Sequence, residues 1–285
     1  MSLHAFARPS GAICVLALDH RDALRNAYRR AGLPDPGDAE VLALKERVFE
    51  GLGGAASAVL LDPAALDRCR PAGAGVFMPL EAQGHDAIAG GRRTRLLDDF
   101  GPADAAALGA QGGKLLLYYR DDHDATAEAQ LLLAAETAER CHRHGLALVI
   151  EPKVYRLDGE PEDAYAARFA EHVTAAAAAL ARSGADLLKL QFPGDADGCA
   201  AVAAAAGTVP WTLLGGAGVD GASFARHLRT AVEAGACGFI AGRPIWGGAV
   251  GREGGEQPAW LRDVARPLFD QLVEIADTYH ARSVR

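Results

Sequence analysis

Lysine is scarce in this chain. Four lysines face twenty-five arginines in 285 residues, and two of the four interrupt apolar runs. Lys114 opens KLLLYY and Lys189 is central in DLLKLQF. Aromatic residues make up 6% and methionine occurs twice, so the core must rest on aliphatic side chains and alanine. No run of 18 or more apolar residues is present, and the alanines of 175–181 read as helix, not as a membrane span. The five cysteines, Cys14, Cys69, Cys141, Cys199 and Cys237, are odd in number, scattered and free of any C-x-x-C spacing. That excludes a disulfide scaffold and points to a reducing cytoplasm. The start, MSLHAFARPSG, lacks the apolar stretch of a signal peptide, in keeping with a cytoplasmic location. H-E-x-x-H, Walker A and G-x-G-x-x-G motifs are all absent. The formal net charge of -8 argues against nucleic acid and anionic membranes as partners.

What is there is periodic. Eight short apolar runs recur: ICVLALD (13–19), SAVLLD (57–62), GVFMPLE (75–81), KLLLYY (114–119), LALVIE (146–151), DLLKLQF (186–192), PWTLLGG (210–216) and CGFIAGR (237–243). Most are separated by helix-like stretches such as 126–145 and 220–235, each closed by a glycine. Strands apolar on both faces, alternating with helices, define a parallel α/β sheet. Eight units in one undivided chain favour a single (β/α)₈ barrel, a TIM barrel, over residues 1–285. The stretch 81–101 has the weakest pattern and reads as a loop with a short helix over the barrel mouth.

Chemistry in such folds collects at the carboxyl ends of the strands. Asp19 ends the first run, followed by His20 and Arg21; Asp62 ends the second and Glu151 the fifth. Lys189 has apolar neighbours on both sides and shares its strand face with Gln191. Burying an ammonium in such a run is costly, and a desolvated lysine amine attacks carbonyls to form Schiff bases. Asp19 and Asp62 could equally cap helices, Asp62 being followed by Pro63 at a first helical position. Gly215, Gly216 and Gly242, with Arg243, follow the last two runs, where many barrels hold a phosphate. Simple turns would also use those glycines. His142 and His144 lie at a predicted helix end and read as a solvated terminus, so no metal site is expected. Arg21, Arg25 and Arg120 are candidate partners for a second anion, or plain surface arginines.

In family order through nearly the whole chain, the segments LALDHRDALR (16–25), AVLLDP (58–63), KLLLYYR (114–120), HGLALVIEP (144–152), SGADLLKLQFP (183–193), PWTLLGGAGVDGASF (210–224) and AGACGFIAGRPIW (234–246) resemble the class I aldolases of the tagatose 1,6-bisphosphate aldolase family, which includes sulfofructosephosphate aldolases. The resemblance implies a (β/α)₈ barrel, no metal or other cofactor, and cleavage of a sugar phosphate, a ketose 1-phosphate, to dihydroxyacetone phosphate and an aldehyde. It makes Lys189 the Schiff-base lysine, Lys114 the second lysine, Glu151 the proton shuttle and Asp19 the strand-one aspartate. Arg243 falls where the family holds its phosphate. Three positions depart from the family. His20 stands where glutamine is usual, Gly215-Gly216-Ala217-Gly218 replaces a serine-bearing loop, and Gln191 replaces a glutamate. Outside that resemblance, a phosphosugar isomerase or epimerase and a non-catalytic sugar-phosphate sensor are the other readings. Barrels of this kind often assemble into homo-oligomers, which is analogy only.

Overall fold

The computed structural model describes residues 1–283 apart from 89, 217 and 253. Eight parallel strands close into a barrel: β1 (Ile13–Ala17), β2 (Ala58–Leu60), β3 (Gly75–Pro79), β6 (Gly112–Tyr118), β7 (Ala147–Lys153), β8 (Leu187–Leu190), β9 (Trp211–Leu214) and β10 (Gly238–Ala241). They run around the barrel in the order β1, β10, β9, β8, β7, β6, β3, β2. Six of the eight apolar runs contain one of these strands, and the other two overlap theirs: β6 starts two residues before its run and β7 ends two residues after its run. The chain is thus a TIM barrel.

The helices that cover it are α1 (Asp22–Arg30), α2 (Asp38–Leu52), α3 (Leu66–Cys69), α4 (Pro102–Ala107), α5 (Asp124–Arg143), α6 (Glu162–Leu180), α7 (Ala196–Ala206), α8 (Gly221–Glu233), α9 (Arg243–Trp246), α10 (Glu256–Trp260) and α11 (Arg266–Ser283). Helix α8 shows why they pack: its buried Phe224, Ala225, Leu228, Ala231 and Val232 recur on one face at helical spacing. The glycines expected to end α5 and α8, Gly145 and Gly235, both take positive φ, 73° and 102°.

Stretch 81–101 differs from the sequence-based expectation. It forms an antiparallel hairpin, β4 (Asp86–Ile88) with β5 (Gly91–Arg93), and the short helix α4 comes only after it. Strands of three residues leave little periodicity to read. Among the described residues no helix is long and apolar enough to cross a membrane.

The alternation of two separates the barrel's lumen from the layer beneath the helices. Ile13, Val15, Ala17, Ala58, Leu60, Phe77, Ala147, Val149, Leu187 and Ile240 form the apolar lower lumen. The N-terminal turn closes that end, with Phe6 stacked on Phe77 at 3.8 Å between ring centroids. Gly112 makes room for this plug, since a Cβ there would lie 2.4 Å from the Phe77 ring and 2.9 Å from Phe6. Gly112→Ala, which would help an ordinary strand, should therefore destabilise by about 1–3 kcal/mol through overpacking. Chemical denaturation measures this. An unchanged midpoint would show that the lower lumen is not close-packed.

Candidate active site

The lumen changes character as the strands climb. On β1 the inward series Ile13, Val15 and Ala17 continues to Asp19; on β7 Ala147 and Val149 continue to Glu151 and Lys153. On β8 Leu187 is followed by Lys189, and beyond β3 the same parity leads to Glu81. Asp19, Glu81, Lys114, Glu151 and Lys189 are all buried. The tops of five strands thereby place five ionisable groups in one low-dielectric chamber.

Their geometry is a shared charge network. Lys189 Nζ donates to Glu151 Oε2 at 2.8 Å, and Lys114 Nζ lies 3.5 Å from the same oxygen. Lys114 also donates to Glu81 Oε1 at 2.5 Å and Asp19 Oδ2 at 3.3 Å. Glu81 Oε2 accepts from the Leu116 N–H at 3.2 Å. One ammonium thus touches three carboxylates. Removing it would leave them buried without their common cation, a loss worth about 3–5 kcal/mol in comparable buried pairs.

The electrostatics follow from that arrangement. Burial disfavours the Lys114 charge, but Glu81, Glu151 and Asp19 outweigh it and raise its pKa. Burial likewise opposes ionisation of Asp19, yet chiefly Lys114 holds its carboxyl well below the usual range. Glu151 is lowered too, its burial outweighed by Lys189 and then Lys114. Glu81 moves the other way. Burial, with Asp19 and Glu151 nearby, raises it despite Lys114. The chamber therefore holds two ready carboxylates and one carboxyl biased toward its protonated form.

The residues expected around this core meet it unevenly. His20 Nδ1 is 3.7 Å from Asp19 Oδ1, and its ring meets Trp246 edge-on at 5.2 Å. Burial brings its pKa down to about 3, with Arg243 reinforcing and Asp19 opposing, so the imidazole is neutral. Among the described residues no carboxylate forms an ion pair with Arg243, and its buried Nε has no hydrogen-bond partner. Gly242 is required where it stands, because a Cβ would meet the Ala17 carbonyl at 2.5 Å and His20 at 2.8 Å. Gly215 fits against Ala241 in the same way, a Cβ there meeting Ala241 Cβ at 2.6 Å. A Cβ at Gly216 would make only an ordinary contact, with Val219 Cγ2 at 3.8 Å, and Ala217 lies outside the described residues. Arg21 reaches the Glu81 carbonyl at 3.2 Å. Gln191, expected to face substrate, uses its side-chain carbonyl to accept the Val154 N–H at 2.8 Å.

Of the two readings left open at Asp62, the cap is the one the structure shows: it accepts from Ala65 N at 3.2 Å and pairs with buried Lys45. Arg25 pairs with Asp38, and Arg120 is wholly buried between Asp122 and Glu160 at 2.9 and 2.6 Å, so neither is a surface arginine awaiting a ligand. His142 is no solvated terminus; its Nε2 lies 2.8 Å from Asp186 Oδ2. Asp121, Asp122 and His172 cluster closely enough for metal ligation, but Arg120 and Arg168 already neutralise Asp122.

Sequence reasoning missed Glu81 and Lys153. Both had a signal: Glu81 continues the inward parity of β3, and Lys153 stands two residues beyond Glu151.

A parallel barrel with a buried lysine pair bridged by a glutamate at its carboxyl end belongs with lysine-based carbonyl enzymes. Residues 13–248 match the family model described as DeoC/LacD family aldolase, and the chain belongs to that family, a group of carbon–carbon lyases. It is 29% identical to tagatose 1,6-diphosphate aldolase 2 of Enterococcus faecalis, covering 95% of this chain and 92% of that one. It is 30% identical to the Streptococcus pyogenes protein of that name, with 94% and 91% covered. Among solved structures, an archaeal fructose 1,6-bisphosphate aldolase superposes with a TM-score of 0.68 at 19% identity, covering 97% and 98%. Another archaeal structure, with its catalytic lysine covalently bound to the carbinolamine intermediate, gives 0.67 at 18%, covering 96% and 98%. These likenesses bear on the fold.

The neutral His20 gives a pH test. Its native pKa lies below its ordinary value of 6.5, so the unfolded chain takes up the proton first. The His20 contribution to stability is full above pH 6.5 and declines as pH falls toward 3. The slope approaches about 1.4 kcal/mol per pH unit between those limits. His20→Asn should flatten the dependence of the melting temperature between pH 6.5 and 4. Parallel curves for the two proteins would contradict the buried neutral imidazole.

Proposed function

We propose that this protein is a class I aldolase that cleaves a ketose 1-phosphate to dihydroxyacetone phosphate and an aldehyde through an imine on Lys189. The observation that carries the reading is the buried 2.8 Å hydrogen bond from Lys189 Nζ to Glu151 Oε2. It gives the amine a proton acceptor in direct contact. The name shared by the curated relatives supports a substrate like tagatose 1,6-bisphosphate; 6-sulfofructose 1-phosphate is the second candidate.

Lys189 passes a proton to Glu151, and its free amine adds to the C2 ketone. Glu151 returns the proton to the carbinolamine hydroxyl, water leaves and an iminium remains. Glu151 or Asp19 then takes the proton of the C4 hydroxyl. The C3–C4 electron pair moves toward the iminium nitrogen, the C4 carbonyl forms and the aldehyde departs. Protonation of the enamine at C3 restores the iminium. Water hydrolyses it, releasing dihydroxyacetone phosphate and the free lysine. Lys114 supports the cycle by holding the carboxylates in place and by keeping positive charge beside Glu151 while the proton moves. Arg243, whose buried Nε has no partner among the described residues, binds the 1-phosphate with the backbone around Gly215, Gly216 and Gly242. His20 and Arg21 line the same mouth. No metal ion takes part in any step.

Lys189→Ala should abolish retro-aldol turnover of fructose or tagatose 1,6-bisphosphate. Glu151→Gln should lower kcat by about 10²–10⁴-fold while the protein stays folded. Turnover by Lys189→Ala near that of the parent enzyme would move the chemistry to acid–base catalysis of an isomerase or epimerase kind. Ligand binding without turnover in the parent would indicate a sensor.

A further inference from the structure

A second cavity lies outside the lumen. It sits between the elements that follow β1 and those that follow β10, the two strands that pair to close the barrel. Its volume is about 410 Å³, within the size range of small-molecule sites. Its walls include Tyr28 of α1, Glu40 and Arg47 of α2, Arg252 just before α10 and Gln257 within it. None of the described residues that line it is one assigned above to catalysis or to the 1-phosphate. The two sides meet closely: Gly251 takes a φ of 79°, and a Cβ there would lie 2.6 Å from Leu33 in the connection after α1.

Two guanidiniums face this cavity, and both are held through Nε by a neutral oxygen. Arg47 Nε donates to the side-chain carbonyl of Gln257, and buried Gln257 donates its amide to the Ala249 carbonyl at 2.8 Å. Arg252 Nε donates to the Gly248 carbonyl at 2.8 Å, and its guanidinium lies 5.6 Å from the centre of a Trp260 ring. Other arginines of this chain pair with acids, as Arg25 does with Asp38, Arg68 with Glu46 and Arg266 with Asp270. Among the described residues, Arg47 and Arg252 form no ion pair. Two charged planar forks, positioned by neutral acceptors and lining one cavity, match an oxyanion, which guanidinium groups bind bidentately.

The opposite wall sets the rest of the ligand. Burial and the adjoining Glu40 carboxylate raise the pKa of Tyr28, whose hydroxyl is hydrogen-bonded to that carboxylate. Glu40 is thus already engaged, and its remaining lone pairs can accept from a ligand hydroxyl. Two arginines against one engaged carboxylate favour a single oxyanion on a hydroxylated body over a cation or an apolar ligand.

The cavity also has a route to the barrel mouth. Helix α1 follows directly on Asp19, His20 and Arg21. Gly248 and Ala249, whose carbonyls hold Arg252 and Gln257, belong to the turn after α9, the helix that begins with Arg243. Burial lowers the pKa of Arg243, and the positive charge of Arg30 at the end of α1 adds to that effect. An anion joining Arg47 on α2 to Arg252 would restrain the segment that carries Arg243 and so pre-organise it for its own ligand.

We propose that Arg47 and Arg252 form a binding site, separate from the lumen, for a small hydroxylated metabolite carrying one phosphate or carboxylate, and that its occupancy tightens the hold of Arg243 on substrate. The binding site stands on its own geometry. Its effect on substrate rests on the aldolase reading.

Binding of glycerol 3-phosphate and of glycerate is measured by calorimetry on the Arg243→Met protein, in which anion binding in the lumen is weakened. At least one should bind, and the pair distinguishes phosphate from carboxylate. Adding Arg47→Met and Arg252→Met should weaken that binding about 10–100-fold. In the parent protein the same ligand should shield Arg47 and Arg252 from phenylglyoxal, read by peptide mass, which does not depend on how any variant folds. Failure of both ligands to bind Arg243→Met would overturn the site, as would binding unchanged by the two further substitutions or shielding that spares both arginines. With fructose or tagatose 1,6-bisphosphate, the ligand should lower KM about fivefold or more at constant kcat in the parent, and not in the Arg47→Met, Arg252→Met variant. Simple competition in the lumen would raise KM equally in both proteins, and that result would overturn the coupling. Retro-aldol turnover by the parent without added ligand reports separately on the aldolase reading.

Discussion

The site depends on one carboxylate oxygen. Glu151 Oε2 faces both lysine ammoniums, at 2.8 and 3.5 Å, inside a barrel whose lower half is hydrocarbon. An unpaired ammonium in that surrounding would be prohibitive, and so would a lone carboxylate. Together they are tolerable because Lys114 is closed off by Glu81 and Asp19 as well. The network is thus a condition for having Lys189 in the lumen at all. It also bears on how Lys189 is activated. Lys114 is no bare positive charge repelling its neighbour, since three carboxylates surround it. On the proposed mechanism, the feature that prepares Lys189 is direct contact with a proton acceptor.

Much of this was legible in the sequence, for a definite reason. A parallel barrel strand is buried on both faces, so any ionisable residue within it stands out against an apolar run. Lys114, Lys189, Asp19 and Glu151 were visible in that way. Parity then assigns the face, and the same parity leads to Glu81 and Lys153. They escaped notice because Glu81 ends the weakest run and Lys153 follows a proline that reads as the start of a loop. The hairpin was not legible. Its three-residue strands carry no recognisable alternation, and Arg92 is one arginine among three in GGRRTR. Which of those pair with Asp86 and which lies over the Tyr155 ring is decided by tertiary placement. The same holds for Asp62 and Arg120, whose partners Lys45 and Glu160 are distant in sequence and meet them only in the fold.

The departures from the family's usual residues now have local accounts. His20 is a neutral ring wedged against Trp246 and beside Gly242, and so offers a substrate oxygen no extra positive charge. Gln191 binds the backbone just past Lys153 through its amide carbonyl, which ties the end of β7 to the strand bearing Lys189. Gly215 and Gly242 are packed too closely for any Cβ. On the proposed function, anion recognition on that side therefore falls to backbone N–H groups and Arg243. The chain as a whole is acidic, yet among the described residues Arg243 at its mouth forms no ion pair; on the proposed function, such a local positive charge attracts an anionic substrate against the sign of the net charge.

The most direct test of the central claim is chemical. The protein is incubated with dihydroxyacetone phosphate and borohydride, and the product is examined by intact mass and peptide mapping. A single reduced adduct on the peptide containing Lys189, absent in Lys189→Ala, is the expected result. A folded protein that forms no adduct, or forms it on Lys114 instead, would contradict the assignment of Lys189 as the imine-forming residue.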